Sequence, residues 1–128
     1  MAENKSLSVF IIDDNEMTRS VLRMTIQGED FDVIGGAANG KSGLERVLKL
    51  QPDIVCLDIV MPDTDGLELL QEIKQALPLT IVLMVTSSND RETVSLALQR
   101  GAAGYILKPF NKGTILDTLE KVTVLRRA

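Results

Sequence analysis

Short unbroken apolar runs alternate along this chain with longer stretches in which apolar residues return every three or four positions. The first run, Leu7–Ile12, is rich in Val, Ile and Phe and predicts a strand. Residues 15–28 then carry Met17, Val21 and Met24, with Leu22 and Ile26, at helical spacing, and Gly28 ends them. A second strand is expected over 31–36. Leu44, Val47 and Leu48 place a helix over Gly40–Leu50, closed by Pro52. The run Ile54–Leu57 has no polar member, the mark of a strand covered on both faces. The alternation continues with a helix over 65–77, where Asp65 and Glu68 stand like a capping pair and Leu70, Ile73 and Leu77 face inward, until Pro78 stops it. A fourth strand is expected over 80–85. Asn89 with Glu92 opens the next helix, carrying Val94, Ala97 and Leu98 and ending at Gly101. A short strand over 105–107 precedes a last helix, opened by Asn111, with Ile115, Leu119 and Val122 inward.

The order is a strand followed by a helix, five times. Strict alternation with apolar strands predicts an α/β fold: a doubly wound, five-stranded parallel sheet with helices on both faces. No repeat, low-complexity segment or interdomain linker interrupts it, so residues 1–128 read as one domain with its core over about 7–125.

Composition removes several functions. Fourteen Lys and Arg face eighteen Asp and Glu, a net charge of -4, and no basic tract exists to neutralise a phosphate backbone, so nucleic-acid binding is not expected. The absence of His excludes a Ser-His-Asp triad, a Cys-His pair and a His-ligated zinc, and the chain cannot carry phosphate on a histidine of its own. The single Cys56 lies in an apolar run, which suits a reducing compartment. The opening MAENKSLSVFIIDD is unlike a secretion signal and no stretch is long enough to span a membrane, so a cytoplasmic protein is expected.

In a sheet of this kind ligands bind outside the carboxyl ends of the strands. Asp13 and Asp14 follow the first strand, Asp58 closes the third, Thr86, Ser87 and Ser88 follow the fourth, and Lys108 and Pro109 follow the fifth. Each has an ordinary reading alone: a solvated turn, a strand-end hydroxyl, a Lys-Pro turn. Together they bring three carboxylates, a hydroxyl and an ammonium to one edge. Crowded carboxylates repel unless a cation joins them, and oxygen ligands without His or Cys select a hard one, Mg²⁺ above all. Such a cation keeps positions for phosphate oxygens, Lys108 and Thr86 can bind the others, and a carboxylate alongside can act as nucleophile to give an acyl phosphate.

These residues resemble the response-regulator receiver domains of two-component signalling. The resemblance covers Leu7 to about Leu125. It rests on Asp13-Asp14, on Asp58-Ile-Val-Met-Pro-Asp-Thr-Asp-Gly66, on Val85-Thr86-Ser87 and on Gly101-Ala-Ala-Gly-Tyr105-Ile-Leu-Lys108-Pro109-Phe110. It implies a flavodoxin-like strand order 2-1-3-4-5, carried over from the family. It further implies Asp58 as phosphoacceptor, Asp14 as a direct Mg²⁺ ligand, Asp13 as one mainly through water, and the Val60 carbonyl as another. Thr86 and Lys108 would hold the phosphoryl group, Tyr105 would be the switch aromatic, and the Lys108-Pro109 bond would be cis. The donor would be a phosphohistidine on a sensor histidine kinase or phosphotransfer protein. The chain would catalyse its own phosphorylation and dephosphorylation, with Val60 and Ser88 flanking the hydrolytic water, and the face of the fourth helix, fifth strand and fifth helix would signal to an effector. Two features depart from the commonest family pattern. Ser87 replaces Ala, and Ala102-Ala103-Gly104 lacks paired acidic residues, which favours a monomer when unphosphorylated.

Residues 35–42, from Gly35 to Ser42, read Gly-Gly-Ala-Ala-Asn-Gly-Lys-Ser and satisfy the P-loop pattern. A small nucleotide hydrolase is therefore the rival reading, although it leaves Asp13, Asp14 and Lys108-Pro109 unexplained. A third reading is a receiver-like interaction module that is never phosphorylated.

Overall fold

The computed structural model describes residues 6–127, with side chains through Val124. The first five residues, Ala128 and the side chains of residues 125–127 lie outside that description, and with them part of the opening and closing segments discussed above. The elements are β1 (Leu7–Ile12), α1 (Glu16–Ile26), β2 (Phe31–Ala37), α2 (Gly40–Leu50), β3 (Ile54–Leu57), α3 (Gly66–Ala76), β4 (Ile81–Thr86), α4 (Arg91–Gln99), β5 (Gly104–Leu107) and α5 (Lys112–Arg127). All strand pairs are parallel, in the order β2-β1-β3-β4-β5, as expected.

Strand alternation divides the core in two. Phe10, Ile12, Val55, Leu57, Val82 and Met84 point to one face, where Val47 of α2, Leu70 and Ile73 of α3 and Ala97 of α4 cover them. Val9, Ile11, Ile54, Cys56, Leu83 and Val85 point to the other, under Leu22 and Ile26 of α1 and Ile115 and Leu119 of α5. Successive strand side chains point to opposite faces, so strands this apolar need helices on both. Burial pushes the Cys56 thiol up to about 12, so it stays an unreactive core residue.

Every helix opens on an Asn or Asp whose side chain accepts a backbone N–H of the first turn: Asn15 from Thr18, Asn39 from Ser42, Asp65 from Leu67, Asp90 from Thr93 and Asn111 from Thr114. The α4 cap is Asp90, one residue beyond the Asn89 expected. Its carboxylate also accepts the Thr93 hydroxyl at 2.6 Å, and two adjacent residues of equal capping preference cannot be ranked from sequence. α1 ends at Ile26, before Gly28. Of its two apolar rows only Leu22 and Ile26 are buried; Met17 and Met24 are 75% and 79% exposed and Val21 is exposed too. The rows lie on different sides of the helix and the sheet covers one. Leu48 of α2 and Leu98 of α4 are exposed as well, at the margin of their helices' apolar stripes. Among the described residues no helix is long and apolar enough to cross a membrane.

Candidate functional site

β1 is the switch point of the sheet: chain order runs outward to β2 on one side and to β3, β4 and β5 on the other. The ladder continues one residue past the strands there. Asp13 N–H donates to the Ala37 carbonyl at 3.1 Å, Asp58 N–H to that of Ile12 at 3.0 Å, and Lys108 N–H to that of Thr86 at 2.9 Å. These bonds fix the backbone of three chemistry-bearing residues before any side chain interacts.

The side chains then converge. Lys108 Nζ donates to Asp13 Oδ2 at 2.7 Å and to Asp58 Oδ2 at 3.3 Å, joining strand ends 95 and 50 residues away. The Lys108-Pro109 peptide is cis. The other oxygen of Asp13 accepts the Asn15 N–H at 2.9 Å, and the other oxygen of Asp58 accepts the Val60 N–H at 3.4 Å. Asp13 and Asp58 are buried, at 1% and 6% exposure, whereas Asp14 is exposed. One oxygen from each of the three lies within 4.8 Å of the others. Partial burial works against the Lys108 charge, but the hydrogen bond and charge of Asp13, followed by the charge of Asp58, outweigh it and hold the ammonium above its ordinary range.

Three carboxylates face one ammonium, with no nitrogen or sulfur donor among them. The donor set fits a hard divalent cation such as Mg²⁺, which relieves the excess negative charge.

Thr86 is fully buried at the end of β4, and its hydroxyl accepts the Ser88 N–H at 3.4 Å. Tyr105, half-buried on β5, donates its phenol to the Ser88 carbonyl at 2.5 Å. Ser88 is expected here for its hydroxyl, but it is the Ser88 backbone that links Thr86 to Tyr105. Burial first, then the charges of Asp90 and Asp58, raise the Tyr105 phenol above its usual range and keep it a donor. Val60 is 63% exposed beside Asp58. Arg19 was not legible in advance: its Nη1 donates to the Asp13 carbonyl at 2.6 Å, and no motif marks a guanidinium of α1 for that task.

The P-loop-like segment is not assembled for phosphate. Its first three residues, Gly35 to Ala37, belong to edge strand β2 itself, Lys41 is exposed, and the N–H groups of Gly40 and Lys41 donate to the carboxylate of Asp63 at 2.9 and 3.1 Å. An anion of the protein itself fills that helix end.

Comparison with known proteins agrees with this arrangement. The family model of the response regulator receiver domain matches residues 9–120. The chemotaxis protein CheY of Halobacterium salinarum is 38% identical over 114 residues, covering 89% of this chain and 94% of that protein. The probable C4-dicarboxylate response regulator DctR of Bacillus subtilis is 39% identical over 120 residues, covering 91% of this chain, which spans only 52% of that relative's length. Among solved structures, a chain of the CheX-CheY-BeF3-Mg²⁺ complex of Borrelia burgdorferi superposes with a TM-score of 0.87 at 30% identity, over 91% of this chain and 88% of that one.

Proposed function

This chain belongs to the response regulator receiver domain family of two-component signalling, and from that premise we propose that it is a switch phosphorylated on Asp58. The observation that carries the reading is the Lys108 ammonium bound to Asp13 and Asp58 at once, inside a cluster of three carboxylates.

Asp58 is the nucleophile. A carboxylate oxygen forms a bond to the phosphorus of a partner phosphohistidine, the P–N bond breaks, and the imidazole nitrogen keeps the electron pair. Asp13, Asp14, Asp58 and the Val60 carbonyl would hold Mg²⁺, whose positive charge would let an anionic carboxylate meet an anionic phosphoryl group. Lys108 already neutralises Asp58 and transfers that contact to a phosphoryl oxygen without a large movement. The Thr86 hydroxyl accepts from Ser88, which leaves its proton for a second phosphoryl oxygen. Drawing Thr86 toward the phosphoryl group strains the Ser88 link and opens space that Tyr105 fills on leaving the Ser88 carbonyl. The outcome is a change at the face of α4, β5 and α5. The phosphoryl source is a sensor histidine kinase or phosphotransfer protein, the reader is an effector on that face, and the unit is a cytoplasmic monomer when unphosphorylated, comprising residues 1–128 as one domain. The unphosphorylated interaction module is disfavoured by the intact set Asp13, Asp14, Asp58, Thr86 and Lys108.

The test is incubation with a small acyl phosphate and Mg²⁺, followed by intact mass. One added phosphoryl group per chain, absent when the metal is chelated beforehand, supports the reading; no uptake overturns it.

The two neighbouring acids differ in a measurable way. Both oxygens of Asp13 are engaged, by Asn15 N–H and by Lys108, whereas the Asp14 carboxylate takes no hydrogen bond among the described residues. Asp14→Ala is therefore expected to weaken Mg²⁺ binding about tenfold, and more than Asp13→Ala does. A metal titration giving equal or reversed losses contradicts this.

Lifetime is set by the water that hydrolyses the acyl phosphate. Val60 flanks Asp58 with a side chain that excludes water but cannot orient it. Val60→Asn adds a donor and an acceptor at this exposed position and is expected to speed decay several-fold, roughly 1 kcal/mol of barrier. A decay time course with Mg²⁺ in which Val60→Asn is unchanged or slower counts against it.

A further inference from the structure

We infer that Asp63 is a positioning residue for the phosphorylation site: by latching the tip of the β3–α3 loop to the amino end of α2, it fixes the Val60 backbone against Asp58. The inference rests on the site reading above and concerns residues to which that reading gives no role.

The loop is closed at its base. Gly66 N–H donates to the Ile59 carbonyl at 2.8 Å, and Val60 pairs with Asp65 in an isolated antiparallel bridge. Four residues, 61–64, form the tip. The tip adjoins Val60 directly, and the base rests on a single bridge, so a tie that holds the tip also limits movement of the Val60 N–H that meets Asp58 Oδ1 at 3.4 Å. The tie is Asp63. Its two carboxylate oxygens accept the N–H groups of Gly40 and Lys41, one each. These are unpaired donors of the first turn of α2, and the end of the helix dipole favours an anion there. The same two N–H groups hold the Asp63 carboxyl below the ordinary carboxylate range. Thr64 completes the latch by packing on Gly40 so closely that a Cβ there would lie 2.5 Å from Thr64 Cβ and Oγ1.

This accounts for the P-loop-like spelling of residues 35–42. Gly40 is needed so that the loop tip can reach the helix, and the N–H groups that would cradle a phosphate hold Asp63 instead. The latch joins the Asp63 side chain of the loop to backbone N–H groups of α2 at the surface, so its loss should be felt at Val60 and in cation binding rather than in the core.

The experiment uses the whole chain and the variants Asp63→Ala and Asp63→Asn. Amide spectra are recorded through Mg²⁺ titrations at low salt and in 0.5 M KCl (on the order of the salt that screens exposed charges beyond about 5 Å). Asp63→Ala is expected to weaken Mg²⁺ binding about tenfold at both salt concentrations and to shift the Gly40, Lys41 and Val60 amides together. Asp63→Asn, which keeps an acceptor, is expected to lose less. A Mg²⁺ affinity equal to that of the unsubstituted chain, or a loss that disappears in salt, overturns the latch, because a merely structural or long-range charge role predicts those results. An unsubstituted chain that does not bind Mg²⁺ overturns the site reading itself and the latch with it. The two failures are therefore distinct.

Discussion

Replacing Asp58 by Asn is expected to abolish phosphoryl uptake while leaving the fold as stable as before, or more so, in the absence of metal. An amide oxygen is a poor nucleophile at neutral pH, and no other carboxylate shares the position: Asp13 is buried with both oxygens engaged, and Asp14 is exposed on its outer side. A fall of about 10³-fold or more in the rate of uptake from a small acyl phosphate is expected. Stability should move the other way. Without a cation the three acids carry three negative charges against the single positive charge of Lys108. Asn relieves one unit of that repulsion, and Lys108 keeps its shorter contact, 2.7 Å to Asp13, so no buried ammonium is orphaned. A gain of about 1 kcal/mol is a reasonable scale for a partly screened cluster. Intact mass and a thermal melt with and without Mg²⁺ check both halves. Uptake in Asp58→Asn near that of the parent would remove Asp58 as acceptor, and a clear fall in metal-free Tm would refute the repulsion account.

Gly66→Ala is expected to have the largest effect on stability of any single methyl addition near the site. A Cβ on Gly66 would lie 2.3 Å from the Asp58 carbonyl oxygen and 2.4 Å from the Ile59 Cα. Both are backbone atoms, so no rotamer change relieves the clash; either α3 or the β3 end must move. The Gly66 N–H is bonded to Ile59 and the Asp58 N–H to Ile12, so that movement breaks the ladder that places Asp58. A cost of about 2–4 kcal/mol is expected, with phosphoryl uptake impaired in the fraction that remains folded. Denaturant melts measure the cost. A variant within about 0.5 kcal/mol of the parent, roughly the scatter of neutral surface changes, would refute the steric account.

What the sequence determined follows from rules that act along the chain. Apolar runs without polar members, separated by amphipathic stretches, require a parallel sheet covered on both faces, and every strand and helix was foreseen to within a few residues. The polar residues after β1, β3, β4 and β5 had to share an edge, because parallel strands all end on the same side. The motif spellings around Asp58, Thr86 and Lys108 carried the family. What the sequence left open depends on distances across the fold. Nothing local distinguishes the buried row of α1 from Met17, Val21 and Met24; only the sheet beneath it does. Nothing local sends Arg19 to the Asp13 carbonyl or makes the Ser88 backbone the link between Thr86 and Tyr105. The segment around Gly40 and Lys41 spells a phosphate loop and is in fact occupied by Asp63, which lies about twenty residues away in sequence. A backbone N–H at a helix end donates to whichever anion the tertiary structure brings within hydrogen-bond distance, and sequence patterns record the donor without recording which acceptor arrives.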